Sequence, residues 1–139
     1  MLEYCPSCMA ENTDGAEKCS VCGGDMRVQN RQHQLSAMTI LEVRYLIGKV
    51  LVEGGFGITH IGFDLRLEER VAIKESYPAG SVTRYAKHSA EVEATSAACE
   101  VLLEREREKF LTEARTMSRF SGESSIVHVK DFFYANSTA

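Results

Sequence analysis

At 139 residues, 44% hydrophobic and 26% charged, the chain has room for one ordinary domain or two small ones. A net charge of -4 argues against a basic nucleic-acid binder, and no apolar run approaches the roughly 18 residues that span a bilayer. The N-terminus Met1-Leu2-Glu3-Tyr4-Cys5 lacks the basic and apolar regions of a signal peptide, so a cytoplasmic location is expected. There disulfides are rare, and paired cysteines favour metal.

Residues 1–24 are short of large apolar side chains yet carry four of the five cysteines. Such a segment cannot fold on a core of its own. Cys5-Pro6-Ser7-Cys8 and Cys19-Ser20-Val21-Cys22 are separated by ten residues, giving two C-x2-C pairs. Two residues between cysteines let both sulfurs meet one ion from a tight turn, and two such turns complete a tetrahedral thiolate site. Cys5, Cys8, Cys19 and Cys22 are therefore the expected zinc ligands, and four thiolates leave no open position, so the zinc is structural. The alternative is two reduced, unmetallated pairs or a redox pair. The segment resembles a short zinc ribbon. A nucleic-acid-binding ribbon is disfavoured, because Lys18 is the one basic residue in it. Cys99, far from the pairs, reads as a buried or bland thiol, with a redox role as the alternative.

Residues 25–38 are polar, with three glutamines, two arginines and an asparagine, and read as a linker. From Thr39 the character changes. Ile40 to Val52 form a strand-rich run, Gly54 to Gly57 mark a turn, and Ile58 to Leu65 read as a second strand. After the charged connection Arg66 to Glu69, a third strand is centred on Val71-Ala72-Ile73. Tyr77-Pro78-Ala79-Gly80 breaks it. Residues 77–98 have no sustained period and read as a long loop, with a helical turn near Ala90 to Ala98. Val101 to Phe120 is helical, with Leu103, Phe110, Ala114 and Met117 on one stripe. Ser121 to Ser125 stop the helix, Ile126 to Tyr134 form a strand, and Asn136-Ser137-Thr138 begins a turn. The expected class is α+β: a small four-cysteine zinc ribbon, then an antiparallel sheet with one helix.

The run Leu51-Val52-Glu53-Gly54-Gly55-Phe56-Gly57-Ile58-Thr59, with Val71-Ala72-Ile73-Lys74 one strand later, carries the most chemical information. Glycines let a backbone close on a polyanion where a Cβ would hold it off. Two competing phosphate motifs fail: Gly48-Lys49 is followed by Val50 instead of Ser or Thr, and His60 stands where a dinucleotide-binding turn needs glycine. The run, with Tyr45 to Leu51, Gly62-Phe63-Asp64, Glu69 to Glu75, Lys109 to Thr116, Ile126-Val127 and Asp131-Phe132-Phe133, resembles the ATP-binding small lobe of bacterial Ser/Thr protein kinases over residues 40–139. A zinc ribbon ahead of a kinase domain is also a familiar bacterial arrangement.

The resemblance implies roles. Lys74 pairs with the α- and β-phosphates of ATP, and Glu113, on the regulatory helix, positions Lys74 when the helix swings in. Ala72 leaves room for adenine beneath the sheet, with Leu51 and Thr59 flanking it. Gly54, Gly55, Phe56 and Gly57 cover the phosphates. Glu106 and Glu108 are weaker substitutes for Glu113, and His33, His60, His88 and His128 have no partners at ligand spacing. There are departures. Val52 stands at the first glycine of the family's Gly-x-Gly-x-x-Gly, where a β-branched side chain stiffens the loop and crowds the nucleotide. Thr59 stands where an aliphatic residue is usual.

The family's His-Arg-Asp and Asp-Phe-Gly segments, which supply the catalytic aspartate and the magnesium ligands, have no counterpart here. The resemblance stops after the fourth strand, which implies an ATP–Mg site that is incomplete and a polypeptide that does not catalyse transfer alone. Its inherited activity is phosphorylation of protein hydroxyls. The alternative is a non-enzymatic zinc-ribbon adaptor whose kinase-like lobe docks on a partner.

Overall fold

The structure is a computed structural model describing residues 2–84, 90–119 and 129–139. At its start, strands β1 (Leu2–Tyr4) and β2 (Glu11–Thr13) pair antiparallel, with Leu2 opposite Thr13. Between them the first cysteine turn closes through Cys5 N–H to Ala10 O at 2.9 Å and Met9 N–H to Cys5 O at 2.8 Å. The second closes through Cys19 N–H to Gly24 O at 2.8 Å and Gly23 N–H to Cys19 O at 3.0 Å. The buried hydrophobic cluster of this unit is Cys5, Cys19 and Met26, so thiols stand where a core would be.

The main sheet follows in sequence order: β3 (Ile40–Leu41), β4 (Tyr45–Glu53), β5 (Gly57–Asp64) and β6 (Glu69–Ser76), all antiparallel. The expected three strands are present, but the run expected from Ile40 to Val52 is broken by a turn at 42–44 that splits off β3 as a short edge. Along β5 the even residues Ile58, His60, Gly62 and Asp64 are buried and the odd ones half-buried, the period of a strand with two unlike faces. The register sets Thr59 opposite Lys74 and Ile61 opposite Ala72. Gly57, Thr59, Ile61, Phe63, Ala72 and Lys74 thus share one face.

The other face holds the core. Ile58 packs with Tyr77, Val82, Val92 and Leu103. Ile47 packs with Leu35, Leu41 and Tyr45, backed by Val71, Ile73, Ala90 and Phe133. Residues 25–38 join the two units, with Met26, Gln34 and Leu35 buried. Leu35 is 2% exposed, a burial that contributes about 2 kcal/mol. The Asn30 side-chain amide donates to Leu35 O at 2.9 Å and Gly48 O at 3.0 Å.

The stretch expected as a loop with a helical turn instead carries a small strand pair, β7 (Val82–Thr83) with β8 (Glu93–Ala94). Val82 and Val92 reach the core, which two-residue strands permit without any visible period. Helix α1 (Ala97–Ser118) starts four residues before the expected Val101. Ser96 caps it, its Oγ accepting from Cys99 N–H at 3.2 Å. Leu103 and Leu111 are its buried residues.

The expected strand Ile126 to Tyr134 falls partly outside the described residues, as do Phe120, Ser121 to Ser125, His88 and His128. The described part, 129–134, is not a strand. Its side chains are engaged singly. Tyr45 Oη donates to Asp131 Oδ2 at 2.8 Å, and the Phe133 ring stacks on Tyr45 at 5.6 Å. Phe132 lies under Arg115 and Tyr134 under Arg107. Ring and cation contacts, not a ladder, use the apolar run. Among the described residues no helix is long and apolar enough to cross a membrane.

Candidate functional site

The four N-terminal cysteines converge. Their sulfurs lie within 4.8 Å of one another, with Cys5 to Cys22 and Cys8 to Cys19 both at 3.7 Å. A tetrahedral zinc with bonds of ~2.3 Å has sulfur–sulfur edges of ~3.8 Å, so the cluster fits the ion. Backbone N–H groups point at sulfur: Ser7 to Cys5 at 3.4 Å, Val21 to Cys19 at 3.3 Å and Gly24 to Cys22 at 3.3 Å. Buried Asn12 adds its side-chain amide to Cys19 Sγ at 3.4 Å while its Oδ1 accepts from Ser20 N–H at 2.8 Å. The Cys22 backbone N–H and Asn12 together hold the Cys19 thiol down at about 6, and burial pushes Cys8 up to about 12. Donors aimed at sulfur stabilise thiolate, the form that binds metal.

The second site is the β4–β5 hairpin. Gly54 N–H donates to Gly57 O at 2.9 Å, closing the turn. Leu51, Val52 and Phe56 are exposed, Val52 pairing across the hairpin with Thr59. Thr59 in turn stands beside Lys74, and Ile61 beside Ala72. A Cβ on Gly57 would lie 3.1 Å from Lys74 Cε and 3.1 Å from Glu75 O, so glycine here gives Lys74 its path under the hairpin.

Among the described residues Lys74 forms no ion pair. Its ammonium lies 5.7 Å from the centre of the Phe110 ring. Glu113, one turn further along α1, is exposed and among the described residues forms no ion pair with Lys74. The structure thus sets Val52, Thr59 and Lys74 side by side across the sheet, with Gly57 against Lys74 and Ala72 two residues along the same strand.

Sequence reasoning missed the groups that hold this hairpin. Glu53, just before the turn, is gripped by His33 Nε2 and by Gln34 Nε2. From the other side Tyr77 N–H donates to Phe56 O and Ala79 N–H to Gly55 O, both at 2.9 Å. Glu75 and Arg84 form a buried fork at 3.0 and 2.6 Å. Arg84 also donates to Ala90 O at 2.7 Å and His33 O at 3.1 Å. Charged residues in a strand and a loop read as surface; only the fold shows that they meet.

No family model and no curated protein matches the chain. Among solved structures, PpkA-294 in its apo form matches with a TM-score of 0.70 and 27% identity, over 76% of this chain and 36% of that one. The chain therefore spans about a third of that structure. The likeness, with the cysteine cluster, makes this an α+β protein with a small four-cysteine unit and a kinase-like partial N-lobe.

Proposed function

We propose that the chain holds the ATP-binding portion of a Ser/Thr protein kinase small lobe, residues 39–139, behind a structural zinc ribbon, residues 1–24, joined by residues 25–38. The observation that carries it is the placement of Lys74. Its ammonium is exposed and has no carboxylate partner among the described residues. It stands opposite Thr59, beneath a glycine hairpin whose backbone can approach phosphate. A lysine so placed neutralises phosphate oxygens, and Ala72 on the same face is small enough to leave room for adenine. Leu51, Val52 and Thr59 border that space, and Gly54, Gly55, Phe56 and Gly57 lie over the phosphates.

In this reading the Lys74–Phe110 contact belongs to a resting arrangement. Glu113 pairs with Lys74 after α1 turns inward, and the pair then orients the ammonium. Phosphorylation of protein hydroxyls and a cytoplasmic location belong to the same reading. So does the need for catalytic and magnesium-binding groups that residues 1–139 do not supply. Calorimetric titration of the full chain with Mg-ATP tests it. Lys74→Met is expected to weaken binding at least ~10-fold, equivalent to about 1.4 kcal/mol, with no loss of folding because Lys74 is exposed. Absence of ATP binding in the unaltered chain, or equal binding by Lys74→Met, refutes the proposal.

A further inference from the structure

The four-cysteine unit is docked on the main sheet, and on the face that carries Lys74. Lys49 N–H donates to Pro6 O at 2.7 Å. The Tyr4 ring meets Phe63 at 4.8 Å. At Gly48 an added Cβ would lie 2.4 Å from Met9 Cε, 2.6 Å from Pro6 O and 2.9 Å from Ile61 Cγ2. Glycine in a strand interior weakens the strand unless another backbone comes close, and here the first cysteine turn does. Ile61 and Phe63 lie in the same row as Thr59, and Ile61 is the cross-strand partner of Ala72.

Pro6 lies between Cys5 and Cys8 and Met9 follows Cys8, so the docking groups belong to the turn that the metal shapes. With an apolar core this small, the unit depends on the metal for its fold. We infer that metal occupancy of the Cys5–Cys8–Cys19–Cys22 cluster controls access to the Ile61–Phe63 end of the face that carries Lys74. The loaded ribbon seats on Gly48, Ile61 and Phe63; metal loss unmakes the first turn and bares that end of the face. The inference stands whether or not the lobe binds nucleotide.

Amide hydrogen exchange on the full chain, zinc-loaded and chelator-stripped, tests it. Stripping is expected to speed exchange at Lys49 at least ~10-fold while the β5–β6 ladder keeps its protection. Zinc-loaded Gly48→Ala is expected to show the same fast Lys49 amide with one zinc still bound per chain, since it displaces the ribbon without touching a ligand. Unchanged Lys49 protection on stripping overturns the inference, as does a Gly48→Ala chain that retains it. Loss of the β5–β6 ladder together with Lys49 also overturns it, because metal would then hold the whole fold rather than one face. ATP titration is a separate measurement, so its failure leaves this result readable.

Discussion

Replacing Arg84 by Met removes one cation from the interior and leaves Glu75 there. The side chains of the pair are 0% and 8% exposed, so water does not substitute for the lost partner. Breaking such a pair costs about 3–5 kcal/mol. The guanidinium's bonds to Ala90 O and His33 O go as well, each worth about 1 kcal/mol. These terms overlap, and about 4 kcal/mol is the expected loss at pH 7. For a chain this size that lowers the melting temperature by about 10 °C or more.

The loss depends on pH. Burial raises the Glu75 carboxyl and Arg84 pulls it back down. Without Arg84 the folded-state value rises further above the unfolded one. The penalty is then least below the unfolded carboxylate value of about 4.3 and grows as pH rises toward the folded value. Urea melts of zinc-loaded protein at pH 7 and 4.5, with Arg84→Met/Glu75→Met as the control, measure this. The double variant is expected to recover most of the loss. A single-variant loss under about 1 kcal/mol, or one that grows on acidification, would show that the pair is not buried as described.

Two further predictions rest on other residues. His60 is fully buried and, among the described residues, neither ring nitrogen makes a hydrogen bond of good geometry, the Leu35 backbone giving it only weak support. Burial, helped by the Arg84 charge, holds the ring at about 4. Its folded value lies below the unfolded one, so it erodes stability as pH falls from about 6.5 toward 4. His60→Leu is expected to gain about 1 kcal/mol at pH 7 and to lose that acid slope, read from urea midpoints; a destabilised variant refutes it. Val52, exposed at the hairpin edge, crowds the proposed nucleotide, so Val52→Gly is expected to tighten Mg-ATP binding about fivefold, or about 1 kcal/mol. Weaker binding in the titration refutes that.

The parts legible in the sequence were those whose signal is local. Two C-x2-C turns state in a few residues which four sulfurs converge. Strands β4 to β6 announced themselves through apolar runs around a glycine turn, and the place of Lys74 on β6 followed from Val71-Ala72-Ile73. What stayed hidden depends on distant partners. Gly48 inside a strand signals close approach of another backbone, yet nothing local says that the partner is Pro6. Leu35 alone among polar neighbours read as linker, though it is a core residue. Glu75 and Arg84, nine positions apart, give no sign of being a buried pair. The run at 129–134 has the composition of a strand, and only the placement of Tyr45, Arg107 and Arg115 shows that its rings are taken individually.

The hairpin between β4 and β5 is tethered on both flanks, by His33 and Gln34 at Glu53 and by the amides of Tyr77 and Ala79 at its tip. A free glycine loop would have to be ordered each time a ligand arrived, a cost of about 0.5–1.5 kcal/mol for every side chain immobilised. Here folding has already ordered it. A ligand settling under this hairpin meets a backbone in place, so its affinity reflects fit more than loop entropy. The same tethers make the hairpin stiff, and a ligand of the wrong thickness finds no give.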